Sequence, residues 1–256
     1  MKRFEGKVVI VTGASSGIGR ATALEFAKEG AKLALVARNE KRLREVRDKI
    51  PGKAGYFICD VTDRKRVFET ARKVEKKFGR IDVLVNNAGY GTVGKVADSP
   101  FSEFQSVMDT NYFGTVNFTQ AVLPKMLKQK AGWIINISSV AGKIGTPENS
   151  AYAASKFAIR GFSESLRYEI ESKNISVTIV NPAMTETDFF KDPKMRKRWA
   201  KMRRRYGTMR PEKVARLIVK AAYRKKREVT FSIGGKTLIF FNHAWPWLAD
   251  KIVKSF

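Results

Sequence analysis

The sequence predicts a single α/β domain with a doubly wound, mostly parallel sheet of seven strands and helices on both faces. Short runs rich in β-branched residues alternate with longer amphipathic stretches along the 256 residues, which is the pattern of successive strand–helix units. The runs are apolar without interruption, as expected of strands that are buried on both faces. Because no repeat or linker breaks this alternation, residues 1–256 are interpreted as one domain.

The predicted elements follow one another in regular order. The strands are short apolar runs bounded by turn-forming residues, at 7–12, 32–37, 55–59, 81–85, 133–137, 175–180 and 228–233. The helices have amphipathic spacing, at 18–28, 40–49, 64–77, 101–129, 150–172, 211–226 and about 245–256. Asp63 can cap the third helix and Gly79 can end it. Pro124 is expected to kink the long helix 101–129 or to mark a boundary in it.

Composition excludes several classes of protein. The single cysteine, Cys59, excludes an internal disulfide framework and a cysteine-based metal site. The single histidine, His243, excludes a His-rich metal site, so we expect no metal. No apolar run approaches the roughly 20 residues of a membrane-spanning helix, and the N-terminus lacks the apolar core of a signal peptide. We therefore expect a cytoplasmic protein, with peripheral contact to a membrane as an alternative.

Positive charge is concentrated late in the chain. The net charge is +26, and residues 191–228 hold 17 Lys and Arg against 3 Asp and Glu. Residues 189–210 are predicted to form a basic lid over the substrate, with an apolar stripe of Met195, Trp199, Met202 and Tyr206. The alternatives are contact with an anionic membrane surface, an acidic partner, or a phosphorylated substrate. Nucleic acid is disfavoured because no nucleic-acid-binding module accompanies the charge.

The C-terminal segment is rich in aromatic residues. Pro246 suits the start of a helix, which would place Trp245, Leu248, Ile252 and Phe256 on one face. A subunit interface or the wall of an apolar substrate pocket is the favoured interpretation of this face. Aromatic residues beside lysines also suit a bilayer interface, which stays open as an alternative.

A glycine-rich turn joins the first strand to the first helix. It reads Thr12-Gly13-Ala14-Ser15-Ser16-Gly17-Ile18-Gly19. Glycines let the backbone turn sharply and approach a pyrophosphate, and the start of the following helix presents free N–H groups to it. The motif Asn86-Asn87-Ala88-Gly89 follows the fourth strand, and Asp60-Val61 follows the third. With these motifs, the sequence resembles the short-chain dehydrogenase/reductase family, which has a Rossmann fold.

The resemblance covers nearly the whole chain and implies positions for the cofactor. It implies that Asp60 and Val61 lie at the adenine, and that Asn86, Ala88 and Gly89 line the cofactor cleft. It also implies that Pro182, Thr185 and Thr187 contact the nicotinamide carboxamide. One departure is Ala183, which stands where the family usually has glycine. Homo-dimers or homo-tetramers are expected by resemblance.

The end of the second strand favours NADP(H) over NAD. An acidic residue there would accept a hydrogen bond from the ribose 2′-hydroxyl and repel a 2′-phosphate. The strand instead ends without an acid and is followed by Arg38, whose guanidinium could clamp that phosphate. Ser15 and Ser16 could add hydroxyl donors.

Tyr152 and Lys156 lie four residues apart on a predicted helix, hence on one face. A nearby ammonium and the positive oxidised nicotinamide would lower the pKa of the phenol from about 10 toward neutral pH. Ser139 follows the fifth strand, 13 residues before Tyr152, which is the spacing of the family. The resemblance implies a catalytic set of Asn111, Ser139, Tyr152 and Lys156. In that set Ser139 holds the substrate oxygen and Tyr152 is the general acid or base. Lys156 binds the nicotinamide ribose and tunes Tyr152, and Asn111 holds a water linked to Lys156.

The sequence therefore predicts an NADP(H)-dependent oxidoreductase that transfers hydride between nicotinamide and a carbonyl or alcohol substrate. The aromatic lid and tail favour a lipophilic substrate. The alternative is a non-catalytic protein that binds nucleotide, or that uses the basic segment as an adaptor on a membrane or an acidic partner.

Overall fold

The fold was analysed in a computed structural model, which describes residues 2–187, 189 and 207–253. The strands are β1 (Val8–Thr12), β2 (Lys32–Ala37), β3 (Ala54–Ile58), β4 (Val83–Asn86), β5 (Gly132–Ile137), β6 (Ile175–Asn181) and β7 (Glu228–Thr230). The helices are α1 (Gly17–Lys28), α2 (Glu40–Arg47), α3 (Arg64–Phe78), α4 (Phe101–Met108), α5 (Gly114–Gln129), α6 (Ser150–Glu169), α7 (Pro211–Tyr223), α8 (Ile233–Ala244) and α9 (Pro246–Val253). The predicted fold class is confirmed.

The seven strands form one sheet in the order β3-β2-β1-β4-β5-β6-β7. All neighbouring strands pair in parallel. The chain builds outward from β1 to β3 and then crosses back to place β4 on the other side of β1. In such sheets, ligands bind outside the carboxyl ends of the strands at this reversal of direction.

Both faces of the sheet are covered, as the uninterrupted apolar strands predicted. Val9 and Val11 of β1 pack with α1, α2 and α7 in one core. Val8 and Ile10 of the same strand pack with α3, α5 and α6 in the other. Alternate residues of β1 therefore pack into opposite cores, which explains why residues 8–11 contain no polar side chain.

The end signals of α3 are confirmed. The Asp63 carboxylate accepts a hydrogen bond from the Arg66 N–H, and Gly79 ends the helix in the left-handed region at φ 81°.

The single long helix predicted at 101–129 is wrong in one respect. A π-helical turn, Asp109–Phe113, separates α4 from α5, and Pro124 lies within α5 rather than at a boundary. The wider turn brings Asn111 fully inside the protein, where its side chain is held from two other segments. The hydrogen bonds that hold the Asn111 side chain therefore account for the break in the regular helix. Packing of α5 against α3 and the sheet allows α5 to continue through Pro124.

The predicted strand 228–233 is also wrong in its second half. β7 ends at Thr230, and Ile233 begins α8, a helix that the sequence pattern did not predict. Ser232 caps α8 by accepting a hydrogen bond from the Gly235 N–H. The two glycines in its first turn are poor helix formers and disguised this start. The aromatic helix expected near 245–256 is present as α9, while Phe256 and the stripe of Met195, Trp199, Met202 and Tyr206 lie outside the described residues. None of the described helices is long and apolar enough to cross a bilayer.

Candidate active site and cofactor cleft

The glycine loop after β1 requires its glycines. Gly13 and Gly17 have φ values of 63° and 53°, which side-chain-bearing residues rarely adopt. A Cβ on Gly19 would lie 2.2 Å from the Gly13 carbonyl oxygen, so α1 can start only if this position is bare. The loop thus brings the start of α1 directly beneath the turn.

The start of α1 suits an anion. Ser16 occupies the N-cap position without a side-chain capping bond, and the first turn contains no acidic residue. Because the first N–H groups of a helix carry partial positive charge, a pyrophosphate fits here. Ser15 lies in the loop before this helix, and Ile18 lies in its first turn. The segment after β6 lies close to the glycine loop, since a Cβ on Gly17 would lie 3.0 Å from Thr187 Cγ2.

Asn86 and Asn87, at the end of β4, make different contacts. The Asn87 amide donates to the Thr12 carbonyl oxygen at 3.0 Å, and Thr12 Oγ1 accepts from the N–H groups of Asn87 and Ala88. Asn87, which sequence reasoning did not single out, therefore ties the end of β4 to the glycine loop. The Asn86 side chain points into the sheet instead, donating to Asn136 and Thr119.

Arg38, predicted to bind the 2′-phosphate, directly follows β2, and Asp60, predicted to lie at the adenine, stands two residues after β3. Arg38 is 65% exposed, and its guanidinium lies 3.4 Å from an oxygen of Asp60. Partial burial acts to raise the pKa of Asp60, but hydrogen bonds from Thr62 and the charge of Arg38 hold that pKa below its ordinary value. Val61 is buried against Gly114.

The segment after β6 is fixed by local hydrogen bonds. The Pro182 carbonyl accepts from Val140 N, and Thr185 Oγ1 donates to the Ala183 carbonyl at 2.9 Å. Thr185 also forms an isolated parallel β-bridge with Met209. The chain before and the chain after residues 190–206 therefore come together at this point.

The structure brings Ser139, Tyr152 and Lys156 together at the carboxyl edge of the sheet. Ser139 lies two residues beyond β5, and α6 begins at the same edge. Lys156 Nζ donates to the Ile137 carbonyl at 2.8 Å and lies 5.6 Å from the centroid of the Tyr152 ring. A hydrogen bond joins the hydroxyls of Tyr152 and Ser139.

The ionisation of this group differs from the sequence expectation. Burial raises the pKa of Tyr152 to about 12, and the hydrogen bond with Ser139 offsets only part of that rise. Burial lowers the pKa of Lys156 to about 7. The protein groups alone therefore favour a neutral phenol and a weakly basic amine, because each charged form loses its hydration.

Asn111 belongs to this network, but through partners that the sequence did not indicate. Its amide donates to the Tyr90 carbonyl at 3.0 Å and to Ser155 Oγ at 2.9 Å, and its oxygen accepts from the Tyr90 N–H. Ser155 Oγ in turn donates to the Tyr152 carbonyl at 2.7 Å. Gly89 faces this network, since a Cβ there would lie 2.8 Å from Asn111 Oδ1 and 3.7 Å from Lys156 Nζ. Ser155 stands next to the lysine in Tyr-x-x-Ser-Lys, but its hydrogen bond with Asn111 joins residues 44 positions apart, which the sequence pattern does not show.

Phe189 covers the tyrosine. Its ring meets the Tyr152 ring edge-on, with centroids 5.5 Å apart. This contact belongs to the start of the segment predicted as a lid, whose residues 190–206 are outside the described part of the chain.

The chain is similar to known proteins over most of its length. A family model described as short chain dehydrogenase matches residues 7–197. The chain is 37% identical to dehydrogenase/reductase SDR family member 7B of Danio rerio, over 98% of this chain and 86% of that protein. It is 38% identical to a 3-oxoacyl-(acyl-carrier-protein) reductase of Thermotoga maritima, over 91% of this chain and 97% of that protein.

Solved structures show the same fold. A short-chain dehydrogenase from Streptomyces avermitilis is similar with a TM-score of 0.83 and 30% identity, over 95% of this chain and 94% of that one. A short-chain dehydrogenase/reductase from Burkholderia phymatum in complex with NAD gives a TM-score of 0.88 and 26% identity, over 97% and 96%. The chain belongs to the short-chain dehydrogenase/reductase family of oxidoreductases.

Proposed function

We propose that the protein is an NADP(H)-dependent oxidoreductase that transfers hydride between nicotinamide and a carbonyl or alcohol, with Tyr152 as the general acid or base. The observation that carries the proposal is the convergence of Ser139, Tyr152 and Lys156 at the carboxyl end of β5, the strand that pairs with β4 next to the reversal point of the sheet. A protein that only bound nucleotide would have no need of all three side chains.

The cleft fits a dinucleotide. Gly19 has no side chain to cover the loop backbone near Gly13, so a pyrophosphate could approach this backbone closely. The first turn of α1 also contains no acidic residue that would repel the phosphates. Pro182, Thr185 and Thr187 follow β6, and the nicotinamide carboxamide is proposed to lie against this segment, which reaches Gly17 through Thr187. When bound, the nicotinamide supplies or accepts the hydride.

Arg38 is proposed to select the 2′-phosphate. β2 ends at Ala37 without an acid, and the exposed guanidinium of Arg38 makes one contact with Asp60 at 3.4 Å. Its other N–H groups can form a bidentate pair with a phosphate. The related Burkholderia phymatum structure contains NAD, so the choice between the two cofactors depends on residues at this strand end.

The three residues at the carboxyl edge of the sheet, Ser139, Tyr152 and Lys156, have different roles in reduction. Ser139 donates a hydrogen bond to the substrate oxygen, and Tyr152 gives it a proton. At neutral pH the Tyr152 phenol holds the proton that reduction consumes, and the charge of a protonated Lys156 would lower the pKa of this phenol toward the range that suits a general acid. Lys156 is held by the Ile137 carbonyl where it can bind the nicotinamide ribose, and its pKa near 7 lets it exchange protons at neutral pH.

The substrate is proposed to be lipophilic. Phe189 lies against Tyr152 and presents an aromatic wall to anything that approaches the phenol. A homo-dimer or homo-tetramer and a cytoplasmic location stay predictions.

The test is consumption of NADPH or NADH, followed at 340 nm with matched short-chain and long-chain ketones and aldehydes. We expect consumption that depends on the carbonyl, is faster with NADPH, and has a lower KM for the long-chain members. Binding of NADPH without turnover of any carbonyl would favour the alternative, a nucleotide-binding adaptor. Equal rates with NADPH and NADH would show that Arg38 does not select the 2′-phosphate.

A further inference from the structure

The last two helices expose large apolar side chains. Ile233 is 84% exposed, Phe240 59%, Trp245 49% and Trp247 61%. We call these four residues the C-terminal apolar surface. Ile233 and Phe240 are seven residues apart on α8 and therefore lie on one face. The Phe240 and Trp245 rings are 6.0 Å apart, which continues this face to the start of α9.

Cationic side chains accompany this surface. Lys236 is exposed on α8 between Ile233 and Phe240. Lys251 Nζ lies 5.4 Å from the centroid of the Trp247 ring. Indole rings flanked by lysine ammonium groups are typical of proteins at the headgroup level of a bilayer, where one end of each side chain is apolar and the other is hydrated.

The surface lies at the same edge of the sheet as the candidate active site. α8 follows the carboxyl end of β7, and a Cβ on Gly235 would lie 2.9 Å from Val140 Cγ2, next to Ser139. The basic segment leaves the described structure after Phe189, which contacts Tyr152, and rejoins it at Gly207 near the Thr185–Met209 bridge. Between these points, residues 191–206 hold nine Lys and Arg and one Asp. The described residues on either side of this basic stretch therefore lie near the same edge as the C-terminal apolar surface.

We propose that the C-terminal apolar surface docks the protein on an anionic lipid bilayer. Charge decides between this occupant and a second copy of the chain. Two copies that met through this same face would bring Lys236 and Lys251 of one copy against those of the other and would repel one another, whereas an anionic bilayer attracts these cations and the net charge of +26 on the chain, and can take up the aromatic side chains. Docking in this way would place the bilayer beside the edge that holds Ser139 and Tyr152. The proposal does not depend on the cofactor or the reaction.

The test is co-sedimentation of the full chain with vesicles of phosphatidylcholine alone or of phosphatidylcholine with an equal share of phosphatidylglycerol, at low and high salt. We expect binding to the anionic vesicles at low salt, and weaker binding as salt screens the attraction. The double variant Phe240→Ser, Trp247→Ser should bind roughly tenfold more weakly, because two aromatic side chains no longer leave water. Trp247→Ser alone should give a smaller loss of vesicle binding. It replaces the double variant in this test if circular dichroism shows that the double variant does not fold.

The matched control is Tyr168→Ser, which removes an aromatic side chain of similar exposure, 67%, from the far end of α6. It should bind vesicles as the unchanged protein does. The proposal is overturned if the protein does not bind anionic vesicles at low salt, or if the Phe240 and Trp247 variants bind as well as the unchanged protein. It is also overturned if these variants lower the molar mass in light scattering while vesicle binding stays the same, since a second copy would then cover the surface.

Discussion

The glycine-loop side and the catalytic side of the cleft are built in different ways. Around Gly13, Gly17 and Gly19 the geometry follows from local backbone demands, namely two positive φ values and one contact that excludes a Cβ. Around Tyr152 and Lys156 the decisive properties come from burial, which moves both pKa values away from their ordinary ranges. Under the proposed function, local sequence would therefore determine where the cofactor binds, while tertiary packing would determine the acid–base chemistry.

If this division is right, substitutions on the two sides should separate in kinetics. Changes on the catalytic side should alter turnover and leave cofactor affinity in place. Changes on the cofactor side should do the reverse.

The largest effect is expected for Tyr152→Phe. The substitution keeps the ring that packs on Phe189 and removes the hydroxyl bonded to Ser139. Loss of a general acid costs about 10²- to 10⁴-fold in rate. Turnover should fall by this factor while the NADPH dissociation constant, measured by fluorescence, stays within about twofold. Tyr168→Phe on the same helix is the control, and near-normal turnover of Tyr152→Phe would end the proposed mechanism.

The next effect is expected for Arg38→Asp, on the cofactor side. A charge-assisted hydrogen bond contributes about 1.5–3 kcal/mol, so KM for NADPH should rise roughly 10- to 100-fold. The new carboxylate should also lower KM for NADH, because it can accept from a free 2′-hydroxyl. The kcat with saturating NADPH should change little. Arg47→Asp, at the end of α2, controls for the change in net charge, and an unchanged preference in Arg38→Asp would show that another group reads the phosphate.

Much of the cofactor side was predictable from the sequence because its signals are local. The glycine spacing, the strand pattern, and the cap and end of α3 each depend on a few neighbouring residues. The hydroxyl of Ser155 and the clamp by Asn87 were not predictable, since their partners lie 44 and 75 residues away. The pKa of Tyr152 was expected to fall because the sequence shows its neighbour Lys156 but not the burial of both groups. α8 was missed for a different reason, because a local apolar run with two glycines resembles a strand followed by a turn.

Burial of Lys156 should also appear in the pH dependence of stability. Its pKa falls from the ordinary 10.5 to about 7 in the folded protein. Between these values the unfolded chain binds a proton that the folded chain releases, so the free energy of unfolding should rise with pH in this window. One proton gives a slope of at most about 1.4 kcal/mol per pH unit. Above pH 10 the raised pKa of Tyr152 acts in the opposite direction, because the unfolded phenol ionises first.

Urea denaturation from pH 7 to pH 10 measures this slope. Lys156→Met should remove the rise that is specific to the buried amine, whereas Lys128→Met, at an exposed site on α5, should keep it. Equal slopes for the two variants would mean that the folded protein holds Lys156 in its charged form throughout.

The smallest effect is expected for Ser155→Ala, which tests whether this serine positions the catalytic side. Ser155 Oγ joins the Asn111 amide to the Tyr152 carbonyl, so its loss leaves a buried amide hydrogen without that acceptor. A neutral hydrogen bond of about 0.5–1.5 kcal/mol predicts a roughly 2- to 10-fold fall in kcat with little change in KM for the cofactor. Ser163→Ala is a close control on the same helix. Ser163 Oγ donates to the Ile159 carbonyl at 2.6 Å and accepts from the Asn136 amide at 2.8 Å, away from Tyr152. If Ser155 acts only on stability, both variants should lose stability alike and keep the same kcat. If it positions Tyr152, only Ser155→Ala should lower kcat and shift the pH profile of turnover, and Ser155→Thr, which restores a hydroxyl, should recover part of the loss.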